Sequence, residues 1–324
     1  MASLRNSALA EPLVEEVEAC LRRHLQPNQS LVVAFSGGRD SVALLHALKS
    51  LQVVLGYALS ACHVNHRLSS QADNWEAFCK QHCDDSGIAI KVHRVDVPRD
   101  AAEGLEAAAR SCRYQALALC GGDWLATAHH RGDQAETMLF NMLRGAGLRG
   151  AAGMPLTRIL ADGGSLIRPL LAVSRTSIEA YLKNNGLTWV DDESNSDCNF
   201  NRNFLRHDVL PTLATRFPAA EQKLAAAAGR FAEAGRLLDD LALIDLSGQP
   251  PRFPLPVACL IRLDEARGRN LLRFLLLQHG VRIPSEQRLS ELLRQLKEAK
   301  PDRHPAVEFG SNRLSRRRGD VYLD

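Results

Sequence analysis

No glycine in this chain is followed by lysine, which excludes the commonest nucleotide-binding loop, G-x-x-x-x-G-K-[ST]. No apolar run approaches the roughly 20 residues that a membrane-spanning helix needs. The N-terminus carries no apolar signal core, so the expected compartment is the cytoplasm. None of the eight cysteines stands in a C-x-x-C pair, the spacing used by zinc ribbons and dithiol redox sites. Cys20, Cys62, Cys79, Cys83, Cys112, Cys120, Cys198 and Cys259 are therefore read as reduced, mostly buried small hydrophobes. Cys79 and Cys83 lie one helical turn apart around His82, and a helix face accounts for them more simply than a metal site. Internal repeats and low-complexity linkers are also missing. What remains is an ordinary globular composition, 45% hydrophobic and 24% charged over 324 residues, long enough for two domains or one large one.

The most informative stretch is Ser36-Gly37-Gly38-Arg39-Asp40-Ser41. Before it, Leu31-Val32-Val33-Ala34-Phe35 is short, apolar and β-branched, as a buried strand is. After it, residues 42–48 read as a helix packed on a sheet. Two successive glycines let the backbone take positive φ and approach a ligand closely. Ser41 or Asp40 can cap the helix. The unpaired N–H groups of the first turn, with the helix dipole behind them, favour an anion. A strand, a glycine turn with hydroxyls and a helix start make a phosphate cradle.

Strands are expected at 31–35, 57–64, 88–95 and 124–128. Helices are expected at 11–25, 73–86, 104–120 and 174–184, with another ending at 143. This alternation means an α/β fold with a parallel sheet and right-handed crossovers. From 217 the composition changes to Ala/Leu/Arg-rich helices at 219–246, 268–279 and 285–300. The division is therefore placed at 1–216 and 217–324, the second part being smaller and mostly α-helical. Residues 1–200 hold 19 Lys+Arg against 22 Asp+Glu, and residues 201–324 hold 21 against 15. A basic final third suggests a nucleic-acid partner. The end, Arg313–Arg318, is a basic cluster, either a part of that charged surface with a function or an ordinary solvated terminus.

Several residues fall where ligands sit, at the C-terminal ends of strands. His63, Asn65 and His66 follow the second strand. Arg110 and Arg113 share a helix face one turn after Glu106, either as a surface salt-bridge ladder or as a guanidinium pair aimed at phosphates. Asp133 and Glu136 follow His129-His130 in the first turn of a helix, either as capping acids or as a carboxylate pair for a metal ion or an ammonium group. Residues 145–150 match G-x-G-x-x-G literally, but they follow a helix rather than a strand. They are read as a glycine-rich loop, flanked by Arg144 and Arg149, rather than a dinucleotide site. Beyond the polar run 191–201, Arg202, Arg206 and His207 fall close on one helical surface.

The hexamer resembles the S-G-G-x-D-S loop of the ATP pyrophosphatase (PP-loop) family. The chain resembles the tRNA(Ile)-lysidine synthase family within it, through His63-Val64-Asn65-His66, residues 106–114, 127–137 and 143–154, Arg168-Pro169-Leu170-Leu171 and residues 192–211. The resemblance implies a Rossmann-like PP-loop ATPase domain, with ATP as substrate and Mg²⁺ held by Asp40. It implies adenylation of O2 of cytidine 34 in the CAU anticodon of tRNA(Ile), then attack of free L-lysine at C2 with release of AMP. Codon specificity changes from AUG to AUA, and amino-acid identity from Met to Ile. The roles implied are ATP binding by Ser36, Gly37, Gly38, Arg39, Asp40, Ser41, His63, Asn65 and His66. Asp133 and Glu136 take the lysine, and Arg110, Arg149, Arg202 and Arg206 the tRNA. The catalytic set is Asp40, Arg113, Asp133 and Glu136. The family also suggests a homodimer. Rival readings are a PP-loop tRNA 2-thiolase and a non-catalytic nucleotide-binding module.

Overall fold

The computed structural model describes residues 12–98, 100, 104–160, 163–191, 201–298 and 306–324, apart from the Glu106 side chain. They form two compact units, Met1–Gly229 and Arg230–Asp324. The boundary between these units falls inside a long helix, α10 below, 13 residues beyond the change in composition at 216/217. The composition changes where that helix begins, but its first turns associate with the first unit: Arg131 Nε pairs with Glu221 Oε1 at 2.9 Å.

The first unit runs α1 (Pro12–His24), β1 (Ser30–Ala34), α2 (Arg39–Leu55), β2 (Ala58–Asn65), α3 (Ala72–Asp85), β3 (Ala89–Arg94), α4 (Leu105–Ala118), β4 (Trp124–Ala126) and α5 (Arg131–Leu143). It continues through α6 (Leu148–Ala151), β5 (Thr157–Ile159), β6 (Ser165–Ile167), α7 (Arg175–Asn184), α8 (Asn201–Phe204) and α9 (Leu210–Arg216). A wider π-helical turn, Leu205–Val209, joins α8 to α9.

The sheet order is β3-β2-β1-β4-β6-β5. All neighbours are parallel except β5, which runs antiparallel to β6. β1 is central because its residues tolerate burial on both faces: Leu31 and Val33 are fully buried and Val32 nearly so. On one face Val42, Leu44, Leu45 and Leu48 of α2 join Leu13, Val17 and Leu21 of α1 and Ile178 and Leu182 of α7 in one core. Each such leucine contributes about 2 kcal/mol on leaving water. On the other face Val32, Cys62, Leu125 and Leu166 pack with Leu117 and Cys120.

The four expected strands and their helices are all present. The β5–β6 hairpin was not read from the sequence, because three-residue strands are too short to show a period. The chain winds outward from β1 to β3, then returns to β4 on the other side of β1. The direction reverses between β1 and β4, the place where open α/β sheets bind ligands at their C-terminal end.

The second unit carries the rest of α10 (Ala220–Leu246), then β7 (Leu255–Pro256), α11 (Ala258–Ile261), α12 (Glu265–Gln278), α13 (Glu286–Glu298), β8 (Ala306–Phe309), β9 (Asn312–Arg317) and β10 (Asp320–Leu323). The expected helices correspond to α10, α12 and α13. Beside them stands an antiparallel sheet of order β7-β10-β9-β8. Leu271, Leu275, Leu289, Leu292 and Leu296 pack with Leu255, Val307, Leu314 and Val321 in its core.

The basic terminus is thus a strand, not a solvated tail. Leu314 and Ser315 are buried, Arg316 Nη1 donates to the Leu296 carbonyl at 2.9 Å, and Arg317 pairs with Asp324. A second correction concerns the thiols. Cys62 and Cys120 are bonded to each other rather than free, whereas Cys20, Cys79, Cys83, Cys112 and Cys259 are free.

Candidate active site

The glycine turn joins β1 to α2 as expected. Gly37 has φ 79°, and a Cβ there would lie 2.9 Å from Cys79 Sγ and 3.1 Å from Val190 Cγ2. Only glycine suits both the dihedral and the space. Neither Asp40 nor Ser41 caps the helix. Gly38 is the cap, with no side-chain cap hydrogen bond, and the helix begins at Arg39. The carbonyl of Gly38 accepts the Ser41 hydroxyl at 2.8 Å, and Ser36 and Ser41 hydroxyls lie 3.1 Å apart. A helix start without a side-chain cap keeps its dipole available to an anion, about half a positive charge.

Facing it, α5 begins with a reciprocal cap. His130 Nδ1 accepts the Gly132 N–H at 3.0 Å, and Asp133 Oδ2 accepts the His130 N–H at 2.9 Å. With Nδ1 accepting, the ring proton sits on Nε2. That nitrogen lies 3.9 Å from Asp40 Oδ2 and 3.7 Å from Asp133 Oδ2. One imidazole therefore links the acid of α2 to the acid of α5. The sequence reading passed over His130; its signal was a histidine at the cap position before an acid three residues on.

Arg206, expected from the sequence at the tRNA backbone, completes this group: its Nε and Nη2 hold Glu136 at 2.7 and 2.9 Å, and Nη2 also reaches Asp133 at 2.6 Å. It stands in the π-helical turn Leu205–Val209, and such widened turns recur at functional sites. The two carboxylates differ in chemistry. Burial pushes the Glu136 carboxyl up, more than Arg206 pulls it down. Burial also acts upward on Asp133, but His130 and Arg206 outweigh it and hold it below the ordinary value. Asp40 is raised, by burial first, against the pull of His130.

Next to the turn, His63 Nδ1 lies 2.9 Å from the Phe35 carbonyl and is buried. Arg113 Nε donates to His66 Nε2 at 3.3 Å, which joins the α4 arginine to the histidine just after β2. Burial, with Arg113 adding to it, pushes His66 down to about 4. His129, its Nδ1 2.9 Å from the Thr127 hydroxyl, is likewise pushed down to about 4 by burial.

Asn65 is turned from the expected direction. Its amide donates to Asp73 Oδ1 at 3.1 Å and Glu76 Oε2 at 3.0 Å, and its oxygen accepts the Arg67 N–H at 2.9 Å. It shapes the β2–α3 loop. Arg39 is also drawn away from the phosphate place, onto Glu179 at 2.5 Å and over the Trp189 ring at 5.4 Å.

Arg110 and Arg158 both stack on Tyr114, with ring-centroid distances of 5.2 and 5.3 Å, and Arg168 is buried nearby with Nη1 on the Pro155 carbonyl. Arg149 and Arg202 are half-buried, on α6 and α8. The G-x-G-x-x-G stretch is the turn between α5 and α6 together with the start of α6, with Asn141 Nδ2 donating to the Gly150 carbonyl at 2.7 Å. It is not a dinucleotide loop. The Glu106 side chain and residues 192–200 lie outside the described residues.

Residues 9–213 match the PP-loop domain family, and residues 255–322 match the TilS substrate binding domain family. The tRNA(Ile)-lysidine synthase of Nitrosomonas europaea is 43% identical over 286 residues, 88% of this chain and 62% of that protein. That of Alkalilimnicola ehrlichii is 44% identical over 316 residues, 96% of this chain and 71% of that protein. This chain thus spans from below two thirds to about 71% of the length of these relatives. Among solved structures, the U34-tRNA thiolase NcsA from Methanococcus maripaludis superposes with a TM-score of 0.59 at 17% identity, over 68% of this chain and 78% of that one. At that identity the likeness shows the fold alone.

Proposed function

Because this chain belongs to the tRNA(Ile)-lysidine synthase family of PP-loop proteins, we propose that it joins L-lysine to C2 of cytidine 34 in the CAU anticodon of tRNA(Ile). ATP first adenylates the cytosine O2 and pyrophosphate leaves; the lysine ε-amine then attacks C2 and AMP leaves. One observation carries the reading. The open start of α2 and the Asp133–Glu136 pair of α5 converge on His130, through contacts of 3.9 and 3.7 Å. A phosphate cradle and a cation site stand side by side, as the two half-reactions require.

The leaving pyrophosphate gathers negative charge, and the α2 dipole with the Ser36 and Ser41 hydroxyls stabilises it there. Asp40 suits a Mg²⁺ ligand, since it is an oxygen donor at the phosphate end of the site and partly open to solvent (side chain 37% exposed). Bound there, Mg²⁺ would neutralise phosphate charge. Arg113, beside His66, takes the adenylate or an RNA phosphate.

Lysine arrives as an ammonium ion, with a reference pKa of about 10.4, and must lose a proton before it attacks. Divergent carboxyl environments divide the work. Asp133, held anionic, binds the ammonium. Glu136, raised by burial, takes the proton once the incoming amine displaces part of the Arg206 contact. The cytosine is reached by unstacking from the anticodon loop, cheaper there than in a duplex. A reaction on tRNA with ATP belongs in the cytoplasm.

The test combines the chain, unmodified tRNA(Ile), ATP and labelled lysine. AMP, pyrophosphate and label in RNA are expected in equal amounts. Sulfur incorporation that ignores lysine would replace the reading with a thiolase.

A further inference from the structure

Among the described residues, one cluster brings three metal-ligating atoms together, and it is not part of the active site. Cys62 on β2, His93 on β3 and Cys120 just beyond α4 place two Sγ atoms and a ring nitrogen within 4.8 Å of one another. The register explains how. Cys62 pairs with Lys91 and Val64 with His93 across parallel strands, so alternation sends these residues to one sheet face. Cys62 packs there with Leu117 and Cys120, opposite the face His63 uses for the Phe35 carbonyl.

Both cysteines are buried. His93 Nε2 is also buried and has no hydrogen-bond partner. A bond between the two sulfurs accounts for the cysteines but not for that nitrogen. A cation held by one ring nitrogen of His93 and both sulfurs gives the imidazole and the two cysteines a common partner. Lys91 Nζ donates to the Cys120 carbonyl at 2.9 Å, placing positive charge near the sulfurs and favouring thiolate.

We propose that Cys62, His93 and Cys120, with both sulfurs reduced, hold one thiophilic cation of the Zn²⁺ class. Two thiolates and one imidazole are three of the four donors of a tetrahedral zinc site, and water or an added donor supplies the fourth. An external dithiol first reduces the Cys62–Cys120 bond, becoming a disulfide itself and leaving two thiols. Zn²⁺ then bonds both sulfurs and the ring nitrogen, and the two thiol protons go to solvent. The ion ties β2 and β3 to the end of α4, the helix that carries Arg110 and Arg113. The inference is independent of the reaction proposed above.

The test uses the full chain kept in excess dithiol, loaded with Zn²⁺ or with Co²⁺ as a coloured stand-in, and freed of unbound metal. One Zn²⁺ per chain is expected, with sulfur-to-cobalt charge-transfer absorption in the Co²⁺ form. His93→Ala and Cys120→Ser should each lose both signals, while Cys112→Ser keeps them. Zn²⁺ should raise the thermal midpoint of the parent and leave that of His93→Ala unmoved. Circular dichroism confirms that each variant is folded, and the half-exposed His93 position keeps the test valid if the buried cysteine variant fails to fold. A folded, reduced chain that retains no cation would overturn the proposal. So would equal retention by parent and His93→Ala, or a sulfur–sulfur bond that dithiol does not open.

Discussion

At the residue scale the account turns on carboxylates that the fold treats differently. Asp133 is held below the ordinary carboxyl value by His130 and Arg206, against burial, and Glu136 is lifted above it by burial. Asp133→Asn should therefore raise the KM for lysine more than it lowers kcat. Glu136→Gln should lower kcat by about 100-fold or more with a smaller change in KM, as loss of a positioned base does. Steady-state kinetics in lysine separate the two, and identical effects would contradict the division.

The histidines give a second expectation. His66 and His129 ordinarily titrate at 6.5 but are pushed down to about 4 in the fold. Between those values the unfolded chain binds protons that the folded one refuses, so stability is present above 6.5 and is lost as pH falls toward 4. Denaturation midpoints should drop from pH 7 to pH 5, and drop less in His66→Asn. A variant with an unchanged drop would contradict the assignment. The residue types at the site were legible in the sequence. Their partners were not, because Arg206 is 70 residues from Glu136, and no local pattern links them.

At the element scale, strand–turn–helix units were the legible part. β1, the glycine turn and α2 write their own geometry: a β-branched run, a residue forced to φ 79° and an apolar helix. Gly37→Ala adds a Cβ that meets Cys79 Sγ at 2.9 Å in a dihedral that side chains avoid. A loss of about 1–3 kcal/mol in stability is expected, with pyrophosphate release reduced further than the folded fraction explains. Chemical denaturation and a pyrophosphate assay on the same sample check both, and wild-type values in either would show the turn to be permissive. The elements that escaped the sequence are those without a period to read. β5 and β6 have three residues each, β7 has two, and β9 hides inside a run of arginines. The π-helical turn that aims Arg206 at Glu136 differs from an α-helix by hydrogen-bond spacing alone, which composition does not encode.

At the scale of the whole molecule, charge is uneven. Residues 1–200 are net −3 and residues 201–324 net +6. The parallel sheet was recoverable from alternation of strands and helices, because right-handed crossovers leave few other topologies. The position of the division was not, since α10 continues through it as one helix. Arg202, at the start of the basic part and half-buried near His129, is expected to contact RNA phosphate. Arg202→Ala should weaken tRNA binding and lower the slope of log affinity against log salt by about one. Binding measured from low to moderate salt reports this, and an unchanged slope would remove Arg202 from the interface.

The central claim is that the glycine turn and the α5 carboxylates serve one ligation on a pyrimidine base. Mass analysis of the anticodon loop after incubation with ATP and lysine tests it most directly. A lysine adduct on the cytidine, absent without ATP and absent with Asp40→Ala, is the expected result. ATP consumed while the cytidine stays unmodified would contradict it.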